Sequence, residues 1–588
     1  MKNLRNLAFV TTLALFGLWL SGGIVRASGG AACPDWPTCF GALTPPASTA
    51  ALPDYVHRLA ALVVTALAAA TAIVARRQPD RRLRRLTAAA LALIAAQSAV
   101  GLLVRAEAGP GGALLSAQLH LLLTLLALAA LSAVSVLAAV RAADSAASLR
   151  LSWRSPYGRL AWASAFGLLA LFVSGSIVAS LPASACAWPL CRPTDLATTV
   201  ALGHRLLVAA VALLMALTLR SAWRTQRTQT AVITAATAAG VLFFAQALLG
   251  AQLANGLPAS LRVVHTATAA ASWVAVAVLL TFLGLAQRSA AVEAAETLVW
   301  RERTGLGRDL LALTKPIVVA LLLVTTYAGM VIGAQAWPSL GLTFWTLLGG
   351  FMAAGGSGAI NQYIDRSDDG KMQRTQKRPI PAGRLNAGEG LAFGVGMTVA
   401  SFYLVLAFVN LLAALLTLAG IIYYVLLYSV FLKKTTVQNI VIGGGAGAIP
   451  PLVGWAAATG ALNVPSLFLF AVVFMWTPPH FWALALVRRK DYARAGVPML
   501  PVIRGEVETR KQILIYTIEL VGLTLLLPLF GLGGSIYLVG AVALGGWLLH
   551  AAWKVWKDGG NKLAWKMYRY SSMYLAFLFV VLMVDRLL

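Results

Sequence analysis

The chain has 588 residues, 59% of them hydrophobic and only 11% charged, with a mean hydropathy of +0.79. A soluble globule has no means of hiding that much apolar surface, so the composition specifies a polytopic membrane protein lying in a lipid bilayer. The formal charge of +27 does not indicate nucleic acid, because the Lys and Arg residues form short clusters between apolar runs, where they set topology.

Lys2 and Arg5 precede an apolar run from Leu7 to Leu20, which is also how a secretory signal begins. Ser21-Gly22-Gly23-Ile24-Val25 is echoed by Ser174-Gly175-Ser176-Ile177-Val178 after another apolar run, and a segment with an internal twin reads as a retained helix. Runs near the ~20 residues that a bilayer core requires fall at about 7–26, 52–75, 86–104, 113–140, 158–179, 198–220, 230–250 and 260–286. Basic clusters follow alternate runs, as at Arg76–Arg85, Arg141–Arg154, Arg220–Arg227 and Arg288–Arg308. The positive-inside rule makes these loops and the N-terminus cytoplasmic. The opposite loops hold all four cysteines. Cys33 with Cys39 and Cys186 with Cys191 are close pairs on the oxidising side, which predicts a disulfide within each loop. A metal site is the alternative, disfavoured because neither pair has a nearby His.

Four of the six histidines occupy repeat-equivalent points. His57 and His204 each open a His-Arg-Leu string, and His120 and His265 follow, at offsets of 147 and 145 residues between the copies. Gln97 and Gln246 mark a third equivalent position. Two matched imidazole pairs, each near the start of an even-numbered helix, suit axial ligation of a haem held between helices.

Gly22-Gly23-Ile-Val-Arg26, Cys33-Pro-Asp-Trp-Pro-Thr-Cys39 and Asp54-Tyr-Val-His57-Arg58 resemble haem A synthase over about residues 7–286. The resemblance implies that His204 and His265 hold a haem b cofactor, while His57 and His120 belong to the substrate site. Where that family usually has Glu three positions before the first histidine, this chain has Asp54, one methylene shorter. One helical turn from His57, Asp54 is placed to orient the site or move a proton. It is equally suited to be a helix N-terminal carboxylate favoured by the macrodipole. The second copy has Ala201 there, which fits one reactive half and one electron-transfer half.

Residues 287–315 mix acids and arginines with Ala and Leu, as a surface-lying amphipathic linker would on the cytoplasmic side. They separate a first domain, 1–286, with repeats 1–141 and 155–286, from a second, 316–588. Apolar runs in the second fall at about 316–335, 341–363, 389–408, 410–430, 437–458, 464–487, 513–531, 534–553 and 569–586. The expected fold is all-α, with about 17 transmembrane helices: two four-helix bundles followed by a nine-helix bundle.

At the cytoplasmic end of the second of these helices, Asn361, Asp365 and Asp369 recur at i, i+4 and i+8, on one helical stripe. Arg366, Lys371, Arg374 and Arg378 accompany them, and Lys433 and Lys434 supply further cations from a later loop. Mg²⁺ is commonly held by a few carboxylates plus substrate phosphate oxygens, and the remaining phosphate charge calls for cationic donors. The string therefore reads as a diphosphate site. Asp491, in a second cytoplasmic loop, is placed to complete the metal shell from the opposite side. Gly443–Gly447 with Pro450-Pro451 allow a close helix approach or a break at membrane depth. His480, in Pro478-Pro479-His480-Phe-Trp482, has no repeat twin and is open to a structural or a substrate-contact reading.

Thr314-Lys315-Pro316, the Asn361/Asp365/Asp369 string, Arg378-Pro379, Asn439-Ile-Val-Ile-Gly-Gly and Pro478–Leu484 resemble the intramembrane aromatic prenyltransferases. The closer likeness is to protoheme IX farnesyltransferase, that is, haem O synthase, over about 309–588. The two resemblances together imply consecutive steps of haem A formation. Farnesyl diphosphate and haem B would give haem O with Mg²⁺, and a haem O methyl group would then become the formyl of haem A. The implied setting is the cell (inner or plasma) membrane, with an external electron donor and a terminal oxidase as assembly partner. A quinone-precursor prenyltransferase fused to an electron-transferring b-type cytochrome is the alternative.

Overall fold

The computed structural model describes residues 1–28, 33–35, 38–43, 45, 51–106, 110–181, 192–254, 260–301 and 304–588. Helices joined by turns and loops make up these residues, with no strand among them and a single isolated bridge, Cys39 to Ala42. The chain divides into two compact units, Met1–Glu302 and Arg303–Leu588.

In the first unit α1 (Lys2–Ala27), α2 (Ala51–Arg76), α3 (Arg81–Ala106) and α4 (Pro110–Ala143) form one bundle. A second is formed by α5 (Pro156–Ser180), α6 (Leu196–Thr225), α7 (Thr230–Ala254) and α8 (Ser260–Ala286). In each, the first helix packs on the second and fourth, and the third on the fourth. The internal repeat survives in the hydrogen bonding. Thr11 Oγ1 lies 2.9 Å from Thr71 Oγ1 between α1 and α2, and Ser164 Oγ lies 2.8 Å from Thr218 Oγ1 between α5 and α6. Paired hydroxyls satisfy each other where hydrocarbon offers no partner. The bundles meet along α1, α4, α5 and α8, where the equivalent rings of Trp19 and Phe172 pack edge to face at 5.9 Å. The Trp273 indole donates to the Leu125 carbonyl across the same seam, at 2.7 Å.

The interval expected as one linker folds as two helices. α9 (Ala290–Arg301) lies on the first unit, where the buried Glu293 carboxylate accepts from the Tyr157 amide at 3.2 Å and the Gln226 side chain at 2.9 Å. α10 (Leu306–Leu313) belongs to the second, with Asp309 paired to Arg384 at 2.9 Å and Leu313 fully buried.

The second unit contains α11 (Pro316–Ala334), α12 (Leu340–Ile364), the short α13 (Arg366–Asp369), α14 (Ala387–Phe408) and α15 (Leu411–Ile422). α15 continues into a π-helical stretch, Tyr423–Leu432. α16 (Asn439–Gly443), α17 (Gly445–Thr459), α18 (Val464–Val487), the short α19 (Arg489–Arg494) and α20 (Leu500–Ile503) follow, then α21 (Gly505–Leu526), α22 (Ser535–Asp558) and α23 (Asn561–Leu587). The long helices pack in chain order and α23 returns to α11 and α18, closing a ring. The tightest crossing is α11 on α17. A Cβ on Gly454 would stand 1.8 Å from the Thr326 carbonyl oxygen, and one on Gly329 would stand 2.2 Å from that of Pro451. Only glycine permits backbones so close.

Among the described residues sixteen helices are long and apolar enough to cross a membrane, and the protein is a multi-pass membrane protein. α12, the expected seventeenth, is long enough to cross but is not among them. Its Gly349, Gly355, Gly356, Ser357, Gly358, Asn361 and Gln362 are all buried, so they face protein rather than lipid. α21 and α23 both begin eight residues before the expected apolar runs. Glu506, Glu508, Lys562 and Lys566 lie on these early turns, continuing the helices beyond their apolar lengths.

Candidate functional site

The first unit builds its imidazoles from a repeated device. Ser21 donates its hydroxyl proton to the Leu18 carbonyl at 2.8 Å, so its oxygen accepts from His57 Nδ1, 2.7 Å away. Ser174 does the same, donating to Leu171 at 3.2 Å and facing His204 Nδ1 at 2.8 Å. A hydroxyl whose only proton is committed can serve Nδ1 only as an acceptor. That arrangement places the proton on Nδ1 of both rings. His120 Nδ1 lies 3.0 Å from the Gln97 carbonyl oxygen, with the same result. At His265 the order is reversed, Gln246 Nε2 lying 2.9 Å from ring Nε2. Every ring also abuts a glycine of a neighbouring helix: Gly22, Gly101, Gly175 and Gly250 would each place a Cβ 3.2 to 3.3 Å from Cε1 of His57, His120, His204 and His265. Imidazoles anchored through one ring nitrogen by a carbonyl or hydroxyl oxygen are the usual arrangement of metal-ligating histidines. His265 Nδ1 and the Oε1 atoms of Gln97 and Gln246 are buried without hydrogen bonds. These polar demands within helical bundles fit a haem held by the paired histidines.

Asp54 is buried near the start of α2 and pairs with Arg58 at 3.0 Å, while accepting from the Cys33 amide at 3.0 Å. Arg58 donates to the Cys33 carbonyl at 2.8 Å and to that of Asp35. The pair thus pins the Cys33–Cys39 loop, which closes with the expected disulfide. Within that loop the Thr38 hydroxyl and the Gly41 and Phe40 amides hold the Asp35 carboxyl below its usual range. Cys186 and Cys191 lie outside the described residues.

In the second unit the oxygen stripe persists across a joint. The Asp365 amide donates to the Asn361 carbonyl at 2.9 Å and that of Asp369 to the Asp365 carbonyl at 2.8 Å, so helical spacing is kept although α12 ends at Ile364. Asn361 Nδ2 donates to Asp365 Oδ2 at 2.8 Å and to Ser429 Oγ at 3.1 Å. Lys433 pairs with Asp365, Arg378 with Asp369 at 2.6 Å, and Lys434 with Asp368 at 2.5 Å. Lys371 lies 3.8 Å from Asp368. Arg366 instead stacks on the Tyr363 ring, 4.4 Å from its centroid, and Arg374 is exposed. Asp491 is held by Arg494 at 3.0 Å, and its loop meets the first through the packing of Tyr492 and Met372. Among the described residues no three His, Cys, Asp or Glu side chains form a metal cage. Mg²⁺ needs only one or two carboxylates when phosphates share the shell, and Asp365 Oδ1 is buried without a hydrogen bond. The donor set fits that ion.

Two contributors were given no role at the site from the sequence, Lys315 standing there only as part of a motif. Lys315 has a left-handed backbone, φ 53°, unusual for a residue with a side chain. It sends Nζ 2.9 Å from Asn361 Oδ1. Burial, then the charges of Arg378 and Lys433, push its pKa down to about 7. Its signal was the Pro316 that follows, fixing the turn into α11. The other is the π-helical stretch, a feature frequent at functional sites. There the Ser429 hydroxyl donates to the Tyr424 carbonyl at 2.8 Å, five residues back, and so brings its oxygen to Asn361.

Clustered acids and cations at one end of an intramembrane bundle suit a prenyltransferase, and the comparisons give that class. The UbiA prenyltransferase family matches residues 322–578, and the cytochrome oxidase assembly protein family, COX15-CtaA, matches residues 47–277. A protoheme IX farnesyltransferase of Roseiflexus sp. is 46% identical over 417 residues, 68% of this chain and 78% of that protein. One of Symbiobacterium thermophilum is 50% identical over 280 residues, 47% of this chain and 94% of that protein. Among solved structures, digeranylgeranylglyceryl phosphate synthase has a TM-score of 0.41 at 18% identity, covering 48% of this chain and 98% of that one.

The chain belongs to the protoheme IX farnesyltransferase family. Its first half carries a haem A synthase domain, so a transferase and an oxidoreductase are fused in one polypeptide of haem A biosynthesis.

Proposed function

We propose that the second unit transfers the farnesyl group of farnesyl diphosphate to a vinyl group of haem B, and that the first oxidises a methyl group of the resulting haem O to the formyl of haem A. The observation that carries this reading is the pairing, in one chain, of an Asp365–Lys433, Asp369–Arg378 ion-pair cluster with four imidazoles, three of them with Nδ1 against a hydroxyl or carbonyl oxygen.

Asn361, Asp365 and Asp369 would hold Mg²⁺, with Asp491 contributing from the facing loop. When bound, the ion supplies charge that eases departure of diphosphate. Lys315, Arg378, Lys433 and Lys434 are the donors for the leaving oxygens; those now paired with carboxylates exchange them for phosphate as the developing charge requires. The outer vinyl carbon bonds to the allylic carbon as its bond to diphosphate breaks, and water takes up the positive charge left on the inner carbon, losing a proton to leave a hydroxyl group. In the first unit His204 and His265 would hold haem b, which supplies electron transfer, while His57 and His120 would bind the haem O substrate. Asp54 keeps the Cys33–Cys39 loop against the start of α2, next to His57. The positive-inside rule puts the diphosphate site on the cytoplasmic face of the plasma membrane and the cysteine loops outside. The oxidation removes four electrons from the methyl group and adds one oxygen atom, so it needs an external oxidant of the dioxygen class, which an external electron donor helps reduce to water; a terminal oxidase is the expected receiver of haem A.

Extraction of haem from cells expressing the whole chain tests the reading. Haem O and haem A, told apart by mass and absorption, are expected in an aerobic host that makes neither. Unmodified haem B alone would overturn it.

A further inference from the structure

His480 in the second unit sits in the same device as His57 and His204. Ser571 on α23 donates its hydroxyl proton to the Tyr568 carbonyl, three residues back, at 2.9 Å. Its oxygen lies 2.7 Å from His480 Nδ1. The hydroxyl proton is committed, so Nδ1 must donate and the Nε2 lone pair is left over. Ser21 with Leu18 and Ser174 with Leu171 have this i to i−3 pattern too. An identical local arrangement thus occurs in two units whose sequences and topologies are unrelated.

The surroundings hold the ring still and point it. His480 is 6% exposed. Trp476 stacks on it with centroids 4.2 Å apart, and Tyr568 packs at 4.5 Å. The Trp476 indole is itself tied to the Ser571 carbonyl at 2.7 Å. With both faces of the imidazole near aromatic rings and Nδ1 engaged, its remaining chemistry is an in-plane lone pair on Nε2. Phe481, edge-on to His480 at 5.3 Å, packs into the cluster of Met372 and Tyr492 that joins the two charged loops. His480 also lies seven residues before the end of α18, about 10 Å along the axis from the charged end. That depth suits the centre of an acceptor whose edge must reach the allylic carbon.

We propose that His480 is the axial ligand to the iron of the haem acceptor in the transferase unit, with Ser571 fixing its tautomer. This rests on the reading of that unit as acting on haem B. It gives the transferase a way to select a metallated macrocycle and to set its vinyl group against the farnesyl donor. His480 is on this account a substrate ligand, and Ser571 a positioning residue.

The test uses the full-length chain with farnesyl diphosphate and haem B, and metal-free protoporphyrin IX as a competitor of the same outline with no iron to ligate. His480→Ala is expected to raise the KM for haem B about 10–100-fold, the usual scale for a lost metal-site interaction. The KM for farnesyl diphosphate and the inhibition by metal-free porphyrin stay unchanged, and added imidazole restores haem B use. His480→Gln, which retains volume and a hydrogen bond to Ser571, shows the same loss and guards against a packing failure. Ser571→Ala raises the haem B KM by a smaller factor, and Ser571→Thr restores it. An unchanged KM for haem B in both His480 variants, or equal losses for haem B and the metal-free competitor, overturns the assignment while the wild-type chain still makes haem O. A wild-type chain that makes no haem O overturns the reading of the unit, and the assignment with it.

Discussion

Replacing Ser174 with Ala probes the imidazole device at its simplest point. The wild-type hydroxyl faces His204 Nδ1 at 2.8 Å and spends its proton on Leu171. Without it, an Nδ1–H inside a helical bundle loses its acceptor, at a cost of about 1–3 kcal/mol, or roughly 5–150-fold in haem b affinity. The ring cannot recover by moving toward α5, because the Gly175 backbone already packs against Cε1, where even a Cβ would stand only 3.2 Å away. The assay is the rate at which haem b leaves the purified full-length variant for an excess of haem-free globin. Ser174→Thr, which keeps the oxygen, should release haem at the wild-type rate. Ser21→Ala should retain haem b but oxidise haem O more slowly, since its partner is His57. A Ser174→Ala protein that is folded and holds haem b as tightly as wild type would refute the reasoning.

Gly454→Ala sets a methyl 1.8 Å from the Thr326 carbonyl oxygen, and backbone cannot move aside as a side chain can. We expect a loss of about 1–3 kcal/mol or more, read as a lowered unfolding temperature in detergent, with Gly447→Ala, whose Cβ meets nothing within 4 Å, near neutral. Lys315→Met removes the ammonium at Asn361 and should weaken farnesyl diphosphate binding about tenfold, as the loss of one charge-assisted contact implies; calorimetric titration checks it. Asp54→Ala removes the carboxylate shared by Arg58 and the Cys33 amide, at a cost of about 1–3 kcal/mol, and should expose the Cys33–Cys39 loop to thiol reductants, measured as faster disulfide reduction. Chelation of divalent cations should abolish farnesyl transfer and leave haem b retention unaffected, and Mg²⁺ should restore the transfer.

The repeats, the paired histidines and the Asn361/Asp365/Asp369 stripe were legible because each is a local pattern: a period, an offset or a helical spacing. The string containing Ser21 and Ser174 was visible as a repeat, but its chemistry was not, since the histidines it serves lie 36 and 30 residues away on other helices. Lys315 reaches Asn361 only because of a left-handed turn, and no spacing rule encodes that. Ser429 arrives through a π-helical register, which a period of 3.6 misplaces. The early starts of α21 and α23 were hidden for the opposite reason. Hydropathy reports where a helix meets lipid, and both continue past that limit on charged turns.

α12 carries the consequence furthest from chemistry. Its small and polar residues face protein. During synthesis, when only part of the bundle exists, those residues have no protein to face. They are covered only once α14, which packs on α12 and follows it in the chain, has joined α11 beside it. The segment that delivers Asn361 and Asp365 is thus completed by its neighbours, and the diphosphate site is assembled only when the helices around it are already in place.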